Sequence, residues 1–249
     1  MHVQRHYSRA PITEAIIDLK VTFPEEFSAD KFEDIYTRIS DRFPTKEQIY
    51  TGVGAFLFEP GSPIKVDTKQ QHNGYLFRGS DNLRLFQATL AGFTFNRLAP
   101  YDSWEEFSSD AKYLWEIYKE IYKPTHVVRA AIRYINQIDI PTKGLLDLKD
   151  YLRTLPEVST DFSQKTLNSF FMQLQIPQED LSCMLVINET LAPQPTPAIM
   201  RVILDFDLFR QQVWQSDDED IWHFLGELRH RKNEVFEASI TERTRELFD

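Results

Sequence analysis

Ala10-Pro-Ile-Thr-Glu-Ala-Ile-Ile-Asp-Leu-Lys-Val-Thr-Phe23 sets the architecture, because its pattern returns at His126-Val-Val-Arg-Ala-Ala-Ile-Arg-Tyr-Ile-Asn-Gln-Ile-Asp-Ile140 with a similar sequel. In the first stretch Ala15, Ile17, Leu19, Val21 and Phe23 share one parity, while Glu14, Asp18, Lys20 and Thr22 share the other, with Ile16 on the polar side. That two-residue period describes a strand with one face in a core and the other in water. In the second stretch Val128, Ala130, Ile132, Tyr134, Ile138 and Ile140 alternate with Arg129, Arg133, Gln137 and Asp139. Pro24 and Pro141 end the two runs, since proline donates nothing to a ladder.

The elements that follow each strand are alike. After the first, Ser28 is placed to cap a helix over 28–43, with Phe32, Ile35, Tyr36, Ile39 and Phe43 at helical spacing and Pro44 as its stop. Strands and turns fill Tyr50 to Arg97, broken at Pro60-Gly-Ser-Pro63, with a hairpin turn at Gly79-Ser-Asp-Asn82. Ser103 and Glu106 then form a capping box for a helix over 104–122, whose Phe107, Ala111, Leu114, Trp115, Tyr118 and Tyr122 trace one face. After the second strand come a short helix over 145–155, a polar loop over 156–169, and strands over 170–176, 181–189 and 199–207. The last two of these strands are joined by the stiff Ala192-Pro-Gln-Pro-Thr-Pro197 connector. A final helix starts at Asp218, with the acidic Asp217-Asp-Glu-Asp220 at its start and Arg229-His-Arg-Lys232 at its end, as the helix dipole favours. Ser239-Ile-Thr-Glu242 reads as another capping box for a short terminal helix. The expected fold is α+β, a mainly antiparallel curved sheet with helices packed on one face. It forms one compact unit over 1–249, built from two pseudo-repeated β-α-β(n)-α halves at about 8–123 and 124–249.

Composition narrows the function classes. At 249 residues, folding buries roughly three quarters of the unfolded surface, and 13% aromatic content fits a sheet-on-helix core. With 28 Lys plus Arg against 38 Asp plus Glu, the net charge of -10 repels phosphate backbones and anionic lipid. Nucleic acid and membrane are therefore not the expected partners. The single cysteine, Cys183, lies in an apolar run, which points to a buried inert thiol and excludes an internal disulfide or a multi-thiolate zinc site. No apolar run of membrane-spanning length is present, and Met1-His-Val-Gln-Arg-His lacks the apolar core of a signal peptide. A cytoplasmic protein is expected.

Reactive constellations are sparse. His223, Glu227 and His230 share a helical face, but the two histidines stand about 10 Å apart along the axis, too far for one metal. Asp205 and Asp207 share a strand parity, flanked by Arg201 and Arg210, an arrangement that favours ion pairing over catalysis. Gly52-x-Gly54 lacks the third glycine of a dinucleotide loop, and no Walker, Gly-x-Ser-x-Gly or His-Glu-x-x-His motif occurs. Arg129 and Arg133 project from one side of their strand, as Glu14 and Asp18 do from theirs. If the two strands are neighbours, the four residues form a charged network, or the guanidinium forks take a ligand's carboxylate or phosphate.

Three stretches, Ala10 to Leu19, Val128 to Ile138 with its Arg133-Tyr-Ile-Asn136, and Leu228 to Glu242, carry a resemblance to a known family. The chain resembles a sporadically distributed prokaryotic family of uncharacterised proteins of about this length. The resemblance implies no activity and no site residues; the family's patchy distribution implies a setting such as defence or toxin neutralisation. The leading expectation is a binding or interaction protein that recognises another protein through a face carrying Arg129, Arg133, Glu14 and Asp18, without cofactor or metal. A homo-oligomer is compatible with it. The alternative is an enzyme acting on a phosphorylated or nucleotide substrate, with Asp205, Asp207 and the two arginines in its pocket.

Overall fold

The computed structural model describes residues 5, 7–24, 27–57, 65–142, 146–164 and 167–249. The first stretch forms β1 (Ile12–Thr22), in which Ala15, Ile17, Leu19 and Val21 are buried and the alternate residues are not. Four strands follow as a meander: β2 (Thr45–Leu57), β3 (Lys65–Arg78), β4 (Arg84–Thr89) and β5 (Gly92–Leu98). The second stretch forms β6 (His126–Pro141), followed by β7 (Phe171–Gln178), β8 (Cys183–Ala192) and β9 (Ile199–Gln215). All nine make one curved antiparallel sheet in the order β2-β3-β4-β5-β1-β6-β9-β8-β7. Each meander thus ends beside the strand that precedes it, β5 on β1 and β9 on β6, while β1 and β6 pair with each other at the centre.

Helices cover one face. Ser103 accepts a hydrogen bond from the Glu106 backbone N–H at 3.1 Å, which starts a long helix where the capping box places it. Counting the four-residue helix Tyr36–Ile39 as α1, this is α2 (Trp104–Tyr122). Its buried Trp115 and Tyr118 meet Phe93 edge-on at 5.5 and 5.7 Å. Each such ring contributes about 2–3 kcal/mol by leaving water. Over β6 and β9 lies α3 (Asp220–Ser239), which buries Ile221, Phe224, Leu225, Leu228 and Phe236, followed by α4 (Glu242–Arg245). A continuous cluster of buried apolar side chains extends from Tyr7 to Phe248.

Several expectations need correction. The helix expected over 28–43 is instead a 3-10 turn at Ala29–Glu33 and the short α1; Ser28 caps the turn, accepting from the Asp30 N–H. The spaced Phe32, Ile35, Ile39 and Phe43 are all buried, so tertiary packing of the apolar residues holds the segment without a continuous helix. The helix expected over 145–155 is a 3-10 turn at Leu148–Asp150, with Leu152 pairing to Ile240. In β6 a bulge between Val127 and Arg129 moves the buried position from Val128 to Val127. The Arg229-to-Lys232 run lies in the middle of α3, which continues to Ser239, and is not a helix end. The Ser239-to-Glu242 box does not form: Ser239 Oγ donates back to the Val235 carbonyl, and Thr241 occupies the cap position of α4. The Pro60-to-Pro63 breaker lies outside the described residues.

Candidate functional site

The sheet face opposite the helices carries a band of polar residues. Because β1 pairs with β6 and β6 with β9, alternate residues line up in cross-strand rows. Glu14, Ile135, Asp205 and Asn188 make one row; Ile16, Arg133, Asp207 and Val186 make the next. Asp18 with Ala131, then Lys20 with Arg129, continue the pattern along the strands. All six residues singled out from the sequence therefore stand on one face.

The arginine contacts run between rows. Arg133 donates from Nε and Nη2 to the two carboxylate oxygens of Asp205 at 2.8 and 2.6 Å. Asn188 Nδ2 donates to the same carboxylate at 3.0 Å. Arg129 donates from Nη1 to Asp18 at 2.8 Å and from Nη2 to Asp207 at 2.9 Å, with its guanidinium 4.3 Å from the Phe209 ring centre. Asp18 also accepts from Thr94 Oγ1 at 2.8 Å and pairs with Lys20 at 2.9 Å. Among the described residues Glu14 makes no hydrogen bond to an arginine; it accepts from Asn96 Nδ2 at 2.6 Å. Gln173 Nε2 donates to Asn188 at 2.7 Å, so the polar band crosses from β5 to the edge strand β7.

Burial makes these pairs consequential. The Asp205 side chain is 7% exposed and that of Arg133 44%, so the acid lies beneath and the guanidinium faces outward. The bond to Asp205 raises the already high Arg133 pKa. Burial pushes the Asp207 carboxyl above its ordinary range, outweighing the opposite pull of Arg129 and Arg133. Arg133 Nη1 makes no hydrogen bond among the described residues. A fork anchored along one edge thus keeps donors pointed away from its own partner.

Asp205 and Asp207 find their cations on the neighbouring strand and not on their own. Arg201 makes a two-point contact with Asp139, both bonds 2.8 Å, holding that carboxyl below its usual range. Arg210 reaches the Leu181 and Ser182 carbonyls and lies over the Phe224 ring. Among the described residues no group of three His, Cys, Asp or Glu is placed to hold a metal. His223 is 80% exposed, and its Nε2 is 3.9 Å from Glu227, as a solvated helix face requires. Cys183 is buried, and its thiol is pushed up by burial.

A groove of about 590 Å³ opens on the helix side, where the first turns of α2 and α3 meet, lined by Trp104, Ser108, Lys112, Glu219 and Trp222. Lys112 spans it, 3.0 Å from Glu219 and 5.5 Å from the Trp222 ring centre. None of the six strand residues lines it. Sequence reasoning missed Thr94, Asn96 and Asn188 as members of the polar band. The available signal was the alternation of Thr94 and Asn96 with Phe93 and Phe95, polar residues on the parity that β5 turns away from the core. Among the described residues no helix is long and apolar enough to cross a membrane. No protein-family model, curated protein or solved structure matches the chain.

Proposed function

We propose that the protein is a recognition module that holds another protein against the polar face of its sheet. The observation that carries this reading is Arg133: fixed by a nearly buried carboxylate, half out in solvent, with Nη1 making no hydrogen bond among the described residues. A partner carboxylate or main-chain carbonyl fits that donor, and the two-point hold on Asp205 removes in advance much of the ordering entropy that binding would otherwise cost. Flanking amides at Asn188 and Gln173 add donors and acceptors that suit an extended protein surface. Mutual pairing of the acids and arginines favours binding over the enzymatic alternative, because both oxygens of Asp205 already accept from Arg133 and both oxygens of Asp207 from Arg129. We further read the halves as a duplicated unit, supported by the shared order of central strand, meander returning to it, and long helix.

The test is affinity capture from cell extract with three baits: wild type, Arg133→Lys, and Lys112→Ala in the helix-side groove. Lysine keeps a cation opposite Asp205 and removes the fork. The reading expects a protein held by wild type and by the groove variant, and reduced at least tenfold by Arg133→Lys. Capture indifferent to position 133, or abolished by the groove variant alone, overturns it.

A further inference from the structure

The two edges of the sheet differ in chemistry. The outer edge strand β2 carries Lys46 and Glu47 and a bulge between Ile49 and Tyr50, all devices that discourage pairing with another chain. The opposite edge, β7, reads Phe-Met-Gln-Leu-Gln-Ile-Pro-Gln and holds no charged residue. It pairs with β8 only, so every second residue presents unpaired main-chain groups outward. Among the described residues, four of the seven exposed large apolar side chains, Phe162, Leu167, Phe171 and Ile176, lie on β7 or in the segment leading to it, with Phe171 68% exposed. Exposed apolar side chains such as Phe171 and Ile176, on an edge strand without charged residues, mark an interface.

We infer that this edge pairs with β7 of a second copy of the chain, antiparallel about a two-fold axis through Leu174, so that the sheet continues from one copy into the other. The strand is self-complementary. Centring on Leu174 sets Phe171 opposite Pro177, Met172 opposite Ile176, Gln173 opposite Gln175, and Leu174 opposite its own copy. Apolar residues meet apolar residues and amides meet amides on both faces, as an isologous contact requires. A shift of one residue sets Gln173 against Leu174 and mixes the two faces. Charge points the same way: with a net charge of -10, two copies repel over most of their surface, and this strand offers an approach without acid facing acid. Pro177 sits next to the last position, where its missing N–H removes only a terminal rung.

Sedimentation equilibrium at micromolar concentrations tests it. Wild type is expected at twice the 29.3 kDa chain mass. Gln173→Lys/Gln175→Lys, at two exposed positions, brings four ammonium groups around the axis and should weaken association at least a hundredfold while leaving the circular-dichroism melt unchanged. Leu174→Cys should form a disulfide-linked dimer with oxidised glutathione, because the axis places the two residues side by side and Cys183 is buried. A monomeric wild type overturns the inference, including one that acquires a strand from a different protein. A dimer untouched by the two lysines, or a Leu174→Cys chain that does not cross-link, also overturns it.

Discussion

Among the described residues Arg133 is the one cation bonded to Asp205, and Asn188 adds one neutral hydrogen bond to a carboxylate nearly out of water. Removing the guanidinium leaves that charge uncompensated, so Arg133→Ala is expected to cost about 2 kcal/mol in urea unfolding. The Arg133→Ala/Asp205→Ala double variant should cost less than the two single changes summed; strict additivity would mean the pair does not interact. Two other buried ionisable groups work against stability. Burial raises the Glu189 carboxyl, 2% exposed and with Oε1 unpartnered among the described residues, to about 7. Burial, helped by Arg229, lowers the Lys232 ammonium, 4.1 Å from the Tyr134 ring centre, to about 7. The unfolded glutamate loses its proton near its ordinary value of 4.5 while the folded one keeps it, so stability falls as pH rises from there to about 7. The unfolded lysine keeps its proton up to 10.5 while the folded one has lost it, so this contribution rises with pH above about 7. Glu189→Gln should therefore stabilise the protein by about 3 kcal/mol at pH 8 and leave it unchanged at pH 4. Thermal melts at the two pH values check this, and an equal shift at both would show that ionisation is not the cause. Glu189 was not singled out from the sequence, and Lys232 was read as part of a cationic helix end, because a Glu in a strand or a Lys in a helix looks solvated until its surroundings are known.

Helix and strand limits were most legible where a local signal and burial agree. In α2 they do: the Ser103 cap and the apolar face both fall where the sequence places them, and Ser103→Ala should cost about 1 kcal/mol in denaturant unfolding. Local signal fails where tertiary contact sets the limit. The charge pattern reads as if α3 ends at Lys232, yet Arg231 is used sideways, pairing with Asp180 between β7 and β8 and with Glu234. The helix stops only at Ile240, which turns extended to bridge Leu152, while Arg153 donates to the Ser239 carbonyl. The β4–β5 turn has its own requirement. Gly92 has φ +141°, and an added Cβ would lie 2.1 Å from the Leu19 carbonyl oxygen on β1. Gly92→Ala should accordingly destabilise by about 3 kcal/mol, measured in the same way.

At the scale of the whole molecule, the adjacency of β1 and β6 assembles the polar band. Parity within each strand was readable, so Arg129, Arg133, Glu14 and Asp18 were placed on one kind of face before any fold was known. Which residue meets which was not readable, since Glu14 joins Asn96, and Asp205 joins Arg133, through strand neighbours that only the sheet order brings together. The central claim is that this face binds a protein through its anchored arginine. Hydrogen–deuterium exchange on the complex isolated by affinity capture tests it most directly. The account predicts added protection in β6, β9 and β8 around Arg133, Asp205 and Asn188, with α2 and α3 unchanged. Protection confined to the α2–α3 groove, with the strands exchanging as in the free protein, would contradict it.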